Sequence, residues 1–140
     1  MPMSKKTLRN AMIDRAGKRW NTAPERAFNE FQKKFGMGLV QNRSLPFTDN
    51  GQHFTFQLDF ARPLDRPTGG YDVDFEIDGP HHDTLLMKQK DMWKDYVKNT
   101  AGLKVIHVPA ELTKKKWWNY LNAEIAKALL SPMGSVWIAA

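Results

Sequence analysis

The middle of the chain alternates apolar and polar side chains with the period of two that is typical of β-strands. One run covers residues 53–61, and a second covers residues 71–78. Residues 62–70 are rich in proline and glycine, so the two runs predict a hairpin. The apolar positions of the first run are predicted to share one buried face: Phe54, Phe56, Leu58 and Phe60. Asp49-Asn50-Gly51 predicts another turn, preceded by a strand that begins near Leu39.

Helical spacing of apolar residues appears on both sides of these strands. Thr22-Ala-Pro-Glu25 is a capping box that opens a helix over residues 23–35. A second helix is predicted over residues 84–100, and a third begins at Thr113. The second is expected to bury these residues: Leu85, Met92, Trp93, Tyr96 and Val97. The third is expected to bury these: Trp117, Trp118, Leu121, Ile125 and Leu129.

Two further segments complete the predicted order of elements, α-α-β-β-β-α-β-α. Residues 4–18 predict a short basic helix, and residues 103–108 a short strand. The predicted class is α/β (α+β), with a mixed central sheet flanked by helices. We expect one domain over residues 1–140, with an N-terminal extension over 1–20, a core over 21–110 and a C-terminal helix and tail over 111–140.

The 140-residue composition removes several classes of function. The chain has no cysteine, which excludes disulfide frameworks, thiolate zinc sites, iron–sulfur clusters and cysteine nucleophiles. No apolar run is long enough to span a bilayer, and the N-terminus lacks the pattern of a signal peptide. We therefore expect no membrane association and a cytoplasmic location, in a bacterium or, for a phage-encoded protein, in the host cell.

Charge is distributed unevenly along the sequence. The net formal charge is +6 over residues 1–36, −5 over residues 37–87 and +5 over residues 88–140. Basic flanks attract phosphate groups, and an acidic centre between them suits a metal-dependent nuclease. Three solvated faces that merely alternate in charge are an equally good interpretation of this feature alone.

The strand over residues 71–78 is unusual because four carboxylates share one of its faces. They are Asp72, Asp74, Glu76 and Asp78. Successive groups lie about 7 Å apart, and their repulsion calls for a cation or nearby basic groups. A solvated acidic edge strand is the non-functional alternative. Asp59, on the polar face of the neighbouring strand, favours a hard oxygen site for Mg²⁺ or Mn²⁺.

Two histidines follow this strand directly. His82, with His81 as an alternative, could ligate a metal or transfer a proton near neutral pH. Asp91 lies nine residues further on and could orient the imidazole of His82 by a hydrogen bond. An ordinary acid on a helix surface explains Asp91 nearly as well.

Taken in order, these residues resemble a known family. The match begins with Glu25 in a capped helix, Asp59 on a strand, and Phe75-Glu-Ile-Asp-Gly79 followed by His82. Asp91, Gly102 and Val105-Ile-His-Val108 complete it over residues 20–110. The set resembles the PD-(D/E)XK nuclease superfamily, and within it the very-short-patch-repair-like branch that includes the EDxHD homing endonucleases. The resemblance implies a restriction-endonuclease-like αβββαβ core that cuts DNA with Mg²⁺ or Mn²⁺.

The resemblance also assigns roles to residues. Asp59, Glu76 and Asp78 would hold the metal, and Glu25 would be the helix glutamate of the site. Asp78 stands where the superfamily usually has lysine, and histidine chemistry replaces that lysine in the very-short-patch-like branch. This points to His82, or to His81, with Asp91 as the partner of the histidine.

Several alternatives stay open at this level. Asp74 or Asp72 could be the main metal ligand, and Lys88, Lys90 or Lys94 could supply the missing cation. The candidate phosphate contacts are basic: Lys5, Lys6, Arg9, Lys18, Arg19, Arg62, Arg66, Lys114, Lys115 and Lys116. A non-catalytic nucleic-acid-binding module and a Holliday-junction-resolvase-type nuclease compete with a nicking endonuclease, and the oligomeric state stays open.

Overall fold

A five-stranded mixed sheet flanked by helices forms the protein in a computed structural model that describes residues 22–79 and 85–140. The class is therefore α+β, as predicted. The elements are α1 (Ala23–Lys34), β1 (Val40–Asp49), β2 (Gln52–Pro63), β3 (Tyr71–Asp78), α2 (Leu85–Thr100), β4 (Lys104–Pro109), α3 (Trp118–Leu130) and β5 (Ser135–Trp137). Two short 3₁₀ turns, Ala110–Thr113 and Lys115–Trp117, lie between β4 and α3. The predicted helix over residues 4–18 lies outside the described residues.

The strands stand in the sheet in chain order. β1, β2 and β3 pair antiparallel through the two predicted turns. β3 and β4 pair in parallel, as do β4 and β5. A parallel pair needs a crossover connection, and α2 and α3 provide the two crossovers. The strand β5 lies in the C-terminal tail, for which the sequence predicted no element.

Two apolar clusters show which helices cover each face of the sheet. Phe28 and Phe31 of α1 join Phe75 of β3 and Leu121 of α3 in one cluster, and all four are completely buried. A second cluster on the other face contains Val97 of α2 together with residues of β1 and β2. Helices α1 and α3 therefore pack on one face of the sheet, and α2 packs on the opposite face.

The start of α1 confirms the predicted capping box in its main feature. Thr22 is the N-cap, and its hydroxyl oxygen accepts a hydrogen bond from the Glu25 backbone N–H at 3.4 Å. Pro24 stands in the first turn, where a missing N–H costs no helical hydrogen bond. This cap fixes where α1 begins and so places Glu25 beside the ends of the central strands.

The predicted single buried face of β2 is wrong. Phe56 and Leu58 pack in the cluster beside α2, whereas Phe60 packs beside Phe28 of α1, with ring centroids 4.9 Å apart. The alternation therefore changes face between Leu58 and Phe60, at Asp59. Asn42, across from this point in β1, has a φ of +59°, which marks the same local distortion of the ladder.

Helix α2 buries much less apolar surface than its periodicity predicts. Of the residues predicted to be buried, Val97 is fully buried, whereas Leu85, Met92 and Tyr96 are exposed. Asp95 and Lys98 are buried instead, because this face of the helix meets the acidic side of β3. Among residues 22–79 and 85–140, none of the helices is both long and apolar enough to cross a membrane.

The last helix starts later than the sequence predicts. Thr113 does not cap α3, because its hydroxyl donates to the Ala110 carbonyl at 2.6 Å within a 3₁₀ turn. Lys114 is extended, and the α-helix begins at Trp118. Trp118 is buried as predicted, but the Trp117 ring remains 37% exposed and is not part of the core.

Candidate active site

A cavity of about 770 Å³ opens where α1 begins, between the ends of the central strands and α2. Its lining is rich in charged side chains, which come from five elements of the fold. The charged and titratable residues of the lining are Glu25, Asp59, Glu76, Asp78, Asp91, Lys94, Asp95, Lys98 and His107. A concave site with this many titratable groups is the main candidate for function in the described part of the chain.

Asp59 and Glu76 meet on the neighbouring strands β2 and β3. The last regular pair of this ladder is Phe60 with Phe75, so Asp59 and Glu76 stand opposite each other one step further, close enough for each charge to affect the pKa of the other group. The backbone N–H of Ile77 also donates to Asp59 Oδ2 at 2.9 Å. Burial, and then the charge of Glu76, raise the pKa of Asp59 well above its usual range. The pair therefore resists carrying two negative charges at once in this part of the cavity.

Lys98 neutralises part of this charge. Its Nζ lies 2.7 Å from Asp74 Oδ2 and 2.6 Å from Glu76 Oε1. Burial alone would raise the pKa of Glu76, but the positive charge of Lys98 is the main opposing cause and, with smaller effects of Asp74 and Asp59, lowers it to about 2. Glu76 is thus ionised at any physiological pH, and its charge faces both Lys98 and Asp59.

Asp74 lies behind this pair, below the cavity surface. Its side chain is completely buried, and Oδ1 has no hydrogen-bond partner among the described residues. Burial and the charge of Glu76 raise the pKa of Asp74 well above its usual range, although Lys98 acts in the opposite direction. Asp74 therefore supports Lys98 from inside the protein.

His107 and two acids, Asp78 and Asp95, form a second charged cluster in the lining of the cavity. His107 of β4 contacts Asp78 Oδ2 through Nδ1 at 3.0 Å and Asp95 Oδ2 through Nε2 at 2.7 Å. Its ring stacks on Trp137 of β5, with centroids 4.4 Å apart and planes 3° from parallel. Burial lowers the pKa of His107, but the two carboxylates outweigh burial and raise it to about 9. His107 is therefore an imidazolium that donates to both acids at neutral pH.

All of the predicted catalytic residues that the structure describes line this cavity. Glu25 stands at the start of α1, where burial is the main factor that raises its pKa. Asp91 also lines the cavity. Asp78 is close to Glu76 in sequence, but its Oδ2 contacts His107. The predicted histidines His81 and His82 lie outside the described residues.

The alternative residues fall into different places. Asp72 lies further along β3 and forms two hydrogen bonds with Arg62, at 2.9 and 2.7 Å. Lys94 lines the cavity, whereas Lys88 and Lys90 are exposed on α2 and do not line it. Lys98, which was not among the predicted cations, is the lysine that contacts the acids of β3.

The predicted phosphate contacts are dispersed. Arg62 is paired with Asp72, and Arg66 donates to the Gly69 carbonyl in the β2–β3 loop. Lys114 and Lys116 both approach Glu111, at 2.7 and 3.9 Å, whereas Lys115 lies over the Trp118 ring. The remaining predicted contacts lie outside the described residues: Lys5, Lys6, Arg9, Lys18 and Arg19.

Lys98, Asp95 and His107 are the site residues that the sequence reasoning missed. A signal for the helix residues was present, because polar side chains recur at positions i, i+3, i+4 and i+7 of α2: Asp91, Lys94, Asp95 and Lys98. All four line the cavity, so this polar stripe is the face of α2 that meets β3. His107 is the polar residue within the apolar run of β4.

The carboxylate oxygens in the cavity are the type of ligand that a hard cation prefers, but few of them converge on one point. Within residues 22–79 and 85–140, no three His, Asp or Glu side chains converge closely enough to hold a metal ion on their own. Asp59 and Glu76 supply two carboxyl groups, and Mg²⁺ commonly takes one or two, with water and substrate phosphate as its other ligands.

Comparison of the chain with protein-family models, curated proteins and solved structures finds no match.

Proposed function

We propose that this protein is a divalent-metal-dependent endonuclease that hydrolyses phosphodiester bonds in DNA. The observation that carries the proposal is the placement of Asp59 and Glu76 opposite each other on neighbouring strands in the cavity lining, with Lys98 Nζ 2.6 Å from Glu76 Oε1. Two carboxyl groups beside a buried cation suit the binding of a metal ion and a phosphate group together. The volume of this cavity, about 770 Å³, is in the range of ligand-binding clefts.

Asp59 and Glu76 are the residues that would hold Mg²⁺ or Mn²⁺. Both offer the oxygen ligands that these ions prefer. The charges of Glu76 and Glu25 disfavour ionisation of Asp59 in the metal-free protein, and a bound cation would relieve that repulsion. When bound, the metal would polarise a phosphoryl oxygen and lower the pKa of a water ligand.

Lys98 has two roles in this proposal. It fixes one rotamer of Glu76 through the 2.6 Å contact, and it keeps that carboxylate ionised. It also brings a fixed positive charge to the strand on which Asp78 replaces the usual superfamily lysine. A positive charge held in place before substrate binds is the type of electrostatic stabilisation that phosphoryl transfer needs.

Proton transfer remains assigned to His82, as the resemblance implies, with Asp91 as its partner on the cavity wall. His107 is less suitable as a base. Both of its ring nitrogens are hydrogen-bonded to carboxylates, and its pKa is raised to about 9. We therefore assign His107 to holding Asp78 and Asp95 in place.

The topology supports the restriction-endonuclease-like part of the proposal. A helix, three antiparallel strands, a crossover helix and a parallel strand follow one another from α1 to β4. This is the αβββαβ order that the resemblance implies. The proposed metal ligands, Asp59 and Glu76, lie on the second and third of these strands, beside the crossover helix.

The test is incubation of the purified full chain with supercoiled plasmid and with a four-way DNA junction, in Mg²⁺ and in Mn²⁺. Asp59→Asn and Glu76→Gln remove the proposed ligands, and an EDTA sample removes the metal. Asp65→Asn is the matched control, because Asp65 is an exposed carboxylate in the β2–β3 loop, away from the cavity lining.

We expect the wild type and Asp65→Asn to cut at least one of these DNAs only with metal, and both ligand variants to be inactive. Preference for plasmid would indicate a nicking enzyme, and preference for the junction a resolvase. A folded wild type that cuts neither DNA overturns the proposal. Salt-sensitive DNA binding without cleavage would then favour the non-catalytic binding module.

A further inference from the structure

A second cavity, of about 480 Å³, lies on the α1 and α3 side of the sheet. Lys34 and Lys115 line it, and their Nζ atoms lie 6.0 and 5.8 Å from the centroid of the Trp118 ring. We propose that this lysine cavity binds a backbone phosphate of the DNA strand that the active site cleaves. The inference rests on the proposed nuclease function for the identity of the strand.

Lys34 and Lys115 differ from the neighbouring lysines in their distance from carboxylates. Lys114 and Lys116 approach Glu111, which offsets their charge. Within the described ranges, neither Lys34 nor Lys115 has a carboxylate oxygen within 4 Å of Nζ, so both keep their charge available for an anion. Two like charges near one ring repel each other, and a phosphate between them would relieve that repulsion.

Other groups in the lysine cavity limit what can bind there. Its lining also contains one acidic residue, Glu30, so the formal net charge of the lining is +1. Trp118 is 9% exposed, and its indole N–H donates to the Thr113 carbonyl at 2.8 Å. The indole therefore offers neither a free donor nor an open face for base stacking. The ligand that fits is an anion without base recognition, such as a backbone phosphate.

Helix α1 connects the two cavities. Glu25, at its start, lines the active site, and Lys34, its last residue, lines the lysine cavity. Nine residues at 1.5 Å per residue separate them by roughly 14 Å along the helix. Nine residues at about 100° per residue also turn the two side chains to opposite sides of the helix, so a DNA strand that reaches both cavities would have to cross α1.

The test measures binding of the full chain to fluorescently labelled duplex DNA by anisotropy, in EDTA to prevent cleavage and over a series of salt concentrations. The variants are Lys34→Ala, Lys115→Ala and the double variant. Lys127→Ala is the matched control, because Lys127 is an exposed lysine on α3 that pairs with Glu124 at 3.2 Å. Thermal unfolding checks that each variant folds, as expected for exposed side chains.

We expect the double variant to reduce the slope of log affinity against log salt by about 0.9, for the one phosphate that the site would hold, and each single variant to reduce it by less, with little change in the control. A double variant that keeps the wild-type slope, or a wild type that binds no duplex DNA, overturns the inference. A reduced slope in a protein that cuts no DNA would keep the phosphate site and reject the nuclease. Cleavage by the wild type with an unchanged slope in the double variant would reject the phosphate site alone.

Discussion

Lys98 Nζ lies 2.6 Å from Glu76 Oε1, although the lysine side chain is only 3% exposed. The same ammonium group contacts Asp74, whose side chain is completely buried. One cation from α2 therefore compensates two acids of β3, and it joins the helix to the sheet at the wall of the candidate active site. Removing it would leave both acids without their counter-charge.

Lys98→Met is expected to lower the free energy of unfolding by about 3–5 kcal/mol, because breaking a buried ion pair from one side leaves uncompensated charge inside the protein. Urea unfolding at pH 7 measures this. Lys94→Met is the matched control, since Lys94 is exposed one turn earlier on the same helix, and it should change stability by less than about 0.5 kcal/mol.

Adding Asp74→Asn to Lys98→Met should recover part of that loss, because the second change removes a buried carboxylate. A double variant as unstable as the sum of the two single variants would show that the two residues are not coupled. A loss below about 1 kcal/mol in Lys98→Met would show that the ion pairs do not hold α2 to β3.

Stability should fall between about pH 6.5 and pH 9 because of His107. Its pKa in the folded protein is raised to about 9, above the ordinary value of about 6.5 that applies to the unfolded chain. The folded state thus binds the proton more tightly, so its stabilisation is complete below pH 6.5 and is lost as the pH rises through 9. The loss is up to about 3 kcal/mol, measurable by urea unfolding at a series of pH values.

His107→Gln is the control for this titration. Glutamine can still form hydrogen bonds with Asp78 or Asp95, but it carries no proton that titrates in this range. The variant should therefore be less stable than the wild type at pH 6 and should change little up to pH 9. An equally steep pH dependence in His107→Gln would assign the effect to another group.

Asp59→Asn is expected to stabilise the metal-free protein at pH 8 while it abolishes cleavage. Burial and Glu76 raise the pKa of Asp59, so the folded state disfavours its charge at pH 8. Asparagine is neutral, and its carbonyl oxygen can still accept from the Ile77 N–H. We expect a gain of about 0.5–2 kcal/mol, of the kind seen where function maintains unfavourable charge.

Thermal unfolding in EDTA at pH 8 tests this expectation. The difference in stability between Asp59→Asn and the wild type should shrink as the pH falls towards 4, because Asp59 of the wild type then takes up a proton and is neutral like asparagine. Asp65→Asn, at an exposed site, should show no comparable gain. A loss of stability in Asp59→Asn would mean that its carboxylate is structural and is not held in place for a ligand.

Local patterns predicted much of this fold. The alternation in residues 71–78 placed the acids of β3 on one side and Val73 and Phe75 on the other, and the structure confirms this division. The capping hydroxyl of Thr22 correctly predicted where α1 begins. Both features depend on residues that are close in sequence, so a single segment contains the information.

Features that depend on contacts between distant segments were not predictable in this way. Strict alternation in β2 gave no sign that Phe60 faces α1, because the change of face at Asp59 coincides with an irregular residue of β1, Asn42, which lies across from it. Lys98 had the sequence properties of a surface lysine, and its burial follows from the packing of α2 against β3. His107 acquires its charge from acids 29 and 12 residues away in sequence.

The attachment of β5 provides a last prediction, at Gly134. A Cβ atom there would lie 2.7 Å from the Asn99 side chain, closer than side-chain packing allows. The Nδ2 of Asn99 donates to the carbonyls of Leu103 and Gly134, so a displaced Asn99 would loosen the link between α2 and the strand that carries Trp137. Gly134→Ala should therefore destabilise the protein by about 1–3 kcal/mol. In an Asn99→Ala background, which removes the obstructing side chain, the same change should cost much less. An equal cost in both backgrounds, measured by urea unfolding, would place the strain elsewhere.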